Sequence, residues 1–118
     1  MDAADREPSR PDFAVLLYPG HLWDETRGRS SLALAPWVAV GPGAPPTLLV
    51  HATDDRTDDV RHSVAYGLAL RDAGAPVELH LYATGGHAFG LRPTSAPVTT
   101  EWPTLAERWL RTIGVIGQ

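Results

Sequence analysis

Two short loops hold the side chains of this chain that are best equipped to move protons. Ala52 to Arg56 (ATDDR) follows the apolar run Thr47 to His51 (TLLVH), and Ala83 to Gly90 (ATGGHAFG) follows Val77 to Tyr82 (VELHLY). The first loop offers Asp54 and Asp55, the second offers His87 flanked by Gly85, Gly86 and Gly90. A carboxylate that accepts from one imidazole nitrogen fixes the tautomer and steadies the imidazolium, leaving the other nitrogen to take a proton from a nucleophile. Neighbouring strands lie about 4.8 Å apart, so loops leaving two adjacent strands at the same end can bring an Asp and a His within hydrogen-bond reach. The glycines allow the sharp backbone turn that exposes such a ring at a sheet edge.

Metal chemistry is not indicated. There is no Cys, which removes thiolate ligands, disulfides and a Cys nucleophile together. Asp54, Asp58, Asp59 and Asp72 read as a solvated acidic face and a helix cap. His51, His62 and His80 lack metal-ligand spacing and read as structural, with His51 placed to brace the aspartate loop. No cofactor and no metal are implied.

The elements that must carry these loops follow from periodicity. Phe13 to Tyr18 (FAVLLY) is a continuous apolar run closed by Pro19 and Gly20, the pattern of a strand buried on both faces in a parallel sheet. TLLVH predicts a second core strand. Val60 to Ala73 shifts to helical spacing, with Val60, Val64 and Leu68 forming an apolar stripe beside Ala65 and Ala69, Asp58 or Asp59 as cap, and Gly74 with Pro76 as stop. VELHLY alternates as a third strand with one wetter face. Glu101 to Ile113 predicts a second helix, with Trp102, Leu105, Trp109, Leu110 and Ile113 on one face as core anchors, Thr99 or Thr100 as cap and Pro103 in the first turn. Residues 21–46 carry no period, and Trp23 and Trp37 within them are candidates to line a pocket or a partner surface. Strands interleaved with a helix predict an α/β layer structure with a parallel sheet.

The stretch from Pro45 to Leu110, with PPTLLVHATDD, Ser63, LRDAGAPVELHLY, GGHAFGLRP and the late WP…WL, resembles the carboxyl-terminal part of α/β-hydrolases related to acetyl-xylan esterases and dienelactone hydrolases. RPDFAVLLYP is similar to the preceding core strand of those enzymes. The resemblance implies a partial α/β-hydrolase fold of three parallel strands with flanking helices. It further implies that Asp55 is the acid and His87 the general base of a Ser-His-Asp triad, because the family's acid precedes a V-P pair that aligns with Asp58 and Asp59; Asp54 is the fallback. The family's G-x-S-x-G nucleophile elbow and its oxyanion loop have no counterpart in this sequence. Ser9, Ser30, Ser31, Ser63 and Ser95 all lack the flanking glycines, and only Ser30 or Ser31 is a conceivable replacement nucleophile. In place of V-P stand Thr57, Asp58 and Asp59, which brings negative charge near Asp55 and is expected to disturb its ionisation.

Function is thereby expected to be a carboxyl-ester hydrolase acting on small acyl or acetyl esters, the nucleophile not being evident in the chain. A non-catalytic binding or interaction module built on the same scaffold is the alternative. At 118 residues the chain is one domain, read as a flexible lead-in over residues 1–11 and an α/β-hydrolase-like domain over residues 12–118. With 43% hydrophobic and 20% charged residues it can bury a core. A net charge of −4 disfavours nucleic acid as a partner. No apolar run approaches the roughly 20 residues of a membrane span, and no basic leader precedes one, so a soluble, cytoplasmic protein is expected. Three strands with two helices leave a sheet short of cover. The strand from Phe13 to Tyr18 would present a bare apolar edge, expected to recruit a second copy as a homodimer or a complementary chain.

Overall fold

A computed structural model of the chain describes residues 12–91 and 96–117, so the expected lead-in over residues 1–11 lies outside the described residues. Strands β1 (Ala14–Leu17), β2 (Thr47–Ala52) and β3 (Val77–Tyr82) alternate with helix α1 (Arg61–Asp72) and are followed by helix α2 (Pro97–Thr112). The sheet order is β1-β2-β3 and both pairings are parallel, with Leu16, Leu49 and Leu79 in register across it. This is the expected partial α/β fold. Its centre is β2, buried at every position because it is hydrogen-bonded on both edges and covered on both faces.

The two faces follow from strand parity. Leu48 and Val50 point to one side, where they pack with Phe89, Val98, Ala106 and Trp109 of the last loop and α2, and Val15 and Leu17 of β1 join them. Leu49 points to the other side with Leu70, Leu16, Val77 and Leu79 beneath α1. Each face thus has one helix, and both outer strands remain only half-buried.

Helix α1 buries a different face from the predicted stripe. Leu68 is 43% exposed, and the buried positions are His62, Ser63, Ala65, Gly67 and Leu70. The reason is that two polar side chains occupy the inward face. His62 Nδ1 accepts from the amides of Leu22 and Trp23 at 3.2 and 3.0 Å, and Ser63 is hydrogen-bonded to His51, so neither registers in an apolar period although both are satisfied in the interior. Gly67 faces the sheet, where a Cβ would make van der Waals contact with Leu49, Leu79 and Val77. The expected cap is met from outside the helix, where Asp59 Oδ1 accepts from the Arg61 amide at 2.9 Å.

Helix α2 begins a turn earlier than the sequence predicts. Ala96 stands at its cap position without a side-chain bond, Pro97 opens the first turn, and Pro103 and both threonines fall inside. Pro103 therefore costs the hydrogen bond its missing N–H would have given to the Thr99 carbonyl, and the buried Thr99 Oγ1 finds no partner among the described residues. Tertiary anchoring offsets this: Val98 is fully buried, and Trp102 Nε1 donates to the Gly90 carbonyl at 2.7 Å, tying the helix to the loop that carries His87. The unpatterned segment 21–46 holds a single antiparallel bridge, Trp23 to Leu34, and a 3-10 turn at Glu25–Arg27. Trp23 is buried, with Nε1 donating to the Ser31 carbonyl at 2.7 Å, whereas Trp37 is 71% exposed.

Among the described residues no helix is long and apolar enough to cross a membrane.

Candidate active site

Three loops converge at the carboxyl ends of the parallel strands, where an open α/β sheet gathers its reactive groups. Tyr18 leaves β1, residues 53–59 leave β2 and residues 83–90 leave β3. His87 Nδ1 lies 2.9 Å from Asp55 Oδ2. The Asp55 carboxylate is fully covered, while the His87 side chain is 29% exposed. A covered carboxylate thus faces a half-buried imidazole across the rim, within the reach expected of loops leaving neighbouring strands.

Local chain structure explains the placement of each partner. Asp55 Oδ1 accepts from the amides of Thr57 and Asp58, both at 2.9 Å, closing the loop on its own carboxylate. Burial pushes the Asp55 carboxyl upward, but the Asp58 amide, the His87 imidazole and the Thr57 amide outweigh it and hold the group below the usual carboxylate range. The expectation that Asp58 and Asp59 would disturb this ionisation is therefore corrected, since the Asp58 backbone supports it; the Asp58 carboxylate itself approaches His87 Nδ1 to 3.7 Å. Asp54, the fallback acid, has another position: its Oδ1 accepts from the Gly86 amide at 2.8 Å and so pins the neighbouring loop.

The His87 loop is built from constrained backbone. Gly85 and Gly86 have φ of 146° and 66°, and Ala88, with φ 56°, is a non-glycine residue in the left-handed region. Tyr18 and His21 share that feature. All three non-glycine examples among the described residues lie in the segments that follow β1 and β3. The Tyr18 ring meets His87 edge-on at 5.0 Å and Phe89 at 4.8 Å, fixing the imidazole from the side of β1.

His51, read from sequence as a brace, is fully buried and reaches the same carboxylate, its Nε2 lying 3.3 Å from Asp55 Oδ2. His62 binds the 22–23 backbone, and His80 pairs with Glu78 at 2.7 Å on the outer strand. Among the described residues no group of three or more His, Asp or Glu is gathered as a metal centre. Ser63 is buried on His51, and Ser31 Oγ accepts from the Ala33 amide at 3.2 Å; Ser9 and Ser95 lie outside the described residues. A cleft of about 750 Å³ opens beside Asp55, lined in part by Trp23, Glu25, Arg29, Asp54 and Asp59, and a second of about 430 Å³ lies between Trp37 and Asp58. Trp23 and Trp37 thus do line recesses, a role that periodicity could not assign because it depends on how segment 21–46 folds back.

No family model matches the chain, and no curated protein matches it in sequence. Solved structures do. The acetyl ester-xyloside bifunctional hydrolase from Caldicellulosiruptor lactoaceticus is 32% identical with a TM-score of 0.80, over 98% of this chain and 47% of its own. Esterase 2 of Thermogutta terrifontis, phosphonylated by cyclosarin, shares 23% identity with a TM-score of 0.73, over 91% and 43%. The α/β-hydrolase enzyme MGS-M1 from a Medee basin deep-sea metagenome library shares 24% with a TM-score of 0.70, over 91% and 46%. The last two likenesses speak for the fold alone. This chain spans about half the length of each of these proteins.

Proposed function

Starting from a chain that carries part of the α/β-hydrolase fold, we propose that it supplies the acid and base of a carboxyl-ester hydrolase acting on small acyl or acetyl esters. Asp55 would orient His87, and His87 would take the proton from an attacking hydroxyl and return it to the leaving alcohol. The observation that carries this reading is the 2.9 Å contact between a buried carboxylate and a half-exposed imidazole at the carboxyl rim of a parallel sheet. The hydrolase from Caldicellulosiruptor lactoaceticus, 32% identical, is by name an acetyl-ester enzyme. The test is hydrolysis of an unactivated alkyl acetate by the purified protein, with a fluorophosphonate used to label and map any reactive serine. Turnover is expected to fall by about 10²–10⁴-fold in His87→Ala, the usual contribution of a general base. Hydrolysis equal in parent and variant, with no labelled serine, refutes a self-sufficient enzyme and leaves the non-catalytic module or a site that a second chain completes.

The nucleophile would come from a polypeptide seated on the open edge of β1. Ala14, Val15, Leu16 and Leu17 are all apolar and only half-buried, and β1 pairs with β2 alone among the described residues. The amides of Ala14 and Tyr18 donate inward, to Pro46 and Val50. By alternation those of Val15 and Leu17 face the free edge, an exposed template for another strand. A second copy pairing there antiparallel about a twofold axis would extend the sheet to six strands but point its rim the opposite way, so only a complementary chain would complete the site. Val15→Pro removes one outward donor and no inward bond. Sizing by light scattering across concentrations is expected to show association for the parent and its loss in Val15→Pro. A parent that stays monomeric at every concentration refutes the edge as an interface between copies of this chain.

A further inference from the structure

His51 is the single polar side chain in the interior of an otherwise apolar strand end, and its ring has no exposed surface. Its three neighbours determine its proton. Nε2 lies 2.9 Å from the Asp58 carbonyl, which can only accept, so Nε2 carries the hydrogen. Nδ1 lies 2.7 Å from Ser63 Oγ on the first turn of α1, whose hydroxyl is then the donor to it. The same Nε2–H reaches Asp55 Oδ2 at 3.3 Å, the oxygen that His87 Nδ1 also meets. Two imidazoles thus share one carboxylate oxygen, with the amides of Thr57 and Asp58 on the other. Packing alone would be served better by an aliphatic side chain, because a buried ring with two polar atoms costs stability unless both are satisfied.

We propose that His51 and Ser63 form the positioning couple of this site: an Nε2–H imidazole that ties the Asp58 carbonyl to β2, backs Asp55, and is held in its orientation by the Ser63 hydroxyl at Nδ1. This rests on the reading of Asp55 and His87 as acid and base. Through the Asp58 carbonyl the couple fixes the peptide units whose amides reach Asp55 Oδ1, and through Nε2–H it keeps the carboxylate aimed at His87. The charged and titratable groups around it are Asp55 and Asp58 from the β2 loop and His87 from the β3 loop, while α1 contributes only the Ser63 hydroxyl.

The experiment follows the Asp55 carboxyl carbon by ¹³C NMR through an acid titration of the full chain, alongside long-range ¹H–¹⁵N spectra of the imidazoles. The parent is expected to hold Asp55 below the ordinary carboxylate range and to show the His51 proton on Nε2. His51→Phe, which keeps volume and removes both nitrogens, is expected to move the Asp55 midpoint upward. His51→Gln, whose amide N–H₂ reaches the Nε2 position, is expected to restore it. Ser63→Ala, which leaves the strand intact should His51→Phe fail to fold, is expected to move it upward. A His51 proton found on Nδ1, a Gln variant no better than the Phe variant, or an Asp55 midpoint unmoved by Ser63→Ala overturns the proposal. His87→Ala serves as the separate control: an Asp55 midpoint unmoved there would sink the acid–base pairing itself, whatever the His51 variants do.

Discussion

Gly85→Ala is expected to destabilise the protein by about 2–6 kcal/mol, lowering Tm by about 8–24 °C. Two effects add. The backbone at Gly85 has φ 146°, a conformation that a side chain bearing a Cβ does not adopt without strain of about 1–3 kcal/mol. The new methyl would also overlap Val98 Cγ1 and stand 3.2 Å from Ala52 Cβ, an overpacking cost of about 1–3 kcal/mol where neither neighbour can yield. Ala52 ends the central strand and Val98 is fully buried in α2, so the loop carrying His87 has no direction in which to retreat. Removing the steric partner tests the mechanism: Gly85→Ala combined with Val98→Ala is expected to cost less than the two single losses added together. A Tm for Gly85→Ala within about 3 °C of the parent, under about 1 kcal/mol for a domain of this size, would mean that Val98 is not seated against this glycine.

Phe89→Ala is expected to cost about 3–5 kcal/mol, measured by urea denaturation with unchanged m-value. Phe89 is the largest side chain with no exposed surface, and it packs with Leu48, Val50, Val98 and Trp109 while meeting the Tyr18 ring edge-on. Against a typical total of about 5–15 kcal/mol for a domain the loss is a large fraction. It would also free the His87 loop, because Phe89 lies two residues from the imidazole and is the anchor by which that loop enters the core. Phe89→Leu, which keeps most of the volume, is expected to recover more than half of the loss. If Phe89→Ala costs under about 1 kcal/mol, the value typical of an exposed site, the loop is not packed on the α2 face as described.

The two aspartates of the β2 loop illustrate how far residue type alone reaches. Both were candidates for the acid, and spacing could not separate them, since adjacent loop residues point in directions that depend on the turn. The Asx turn formed by Asp55 on the amides of Thr57 and Asp58 decides it, leaving Asp54 to bind Gly86 on the next loop. Helix α1 illustrates the opposite failure. Its apolar stripe pointed to Val64 and Leu68, but these line a small apolar notch with Val77 and Leu79 at the sheet edge, and the helix turns His62 and Ser63 inward. A polar residue is legible as buried only when its partner is known, and both partners, the 22–23 backbone and His51, lie far away or on another element. Helix α2 began early for a related reason: Thr99 and Thr100 look like caps in isolation, but burial of Val98 and the Trp102 bond to Gly90 draw the preceding turn into the helix despite Pro103.

What the sequence determined by itself was the set of elements and the two loops that carry chemistry, because apolar runs, alternation and Gly-Pro punctuation are local signals set by backbone sterics and solvent. The parallel order of three strands and the placement of an Asp and His87 at one rim followed from those signals and from a motif resemblance. The resemblance already favours Asp55 over Asp54; only the tertiary structure decided that Asp54 binds Gly86 instead, that His51 reaches the same carboxylate as His87, and that α1 presents a polar inner face. Those choices are made by hydrogen bonds between residues distant in the chain, whose strength depends on the exclusion of water that packing alone provides.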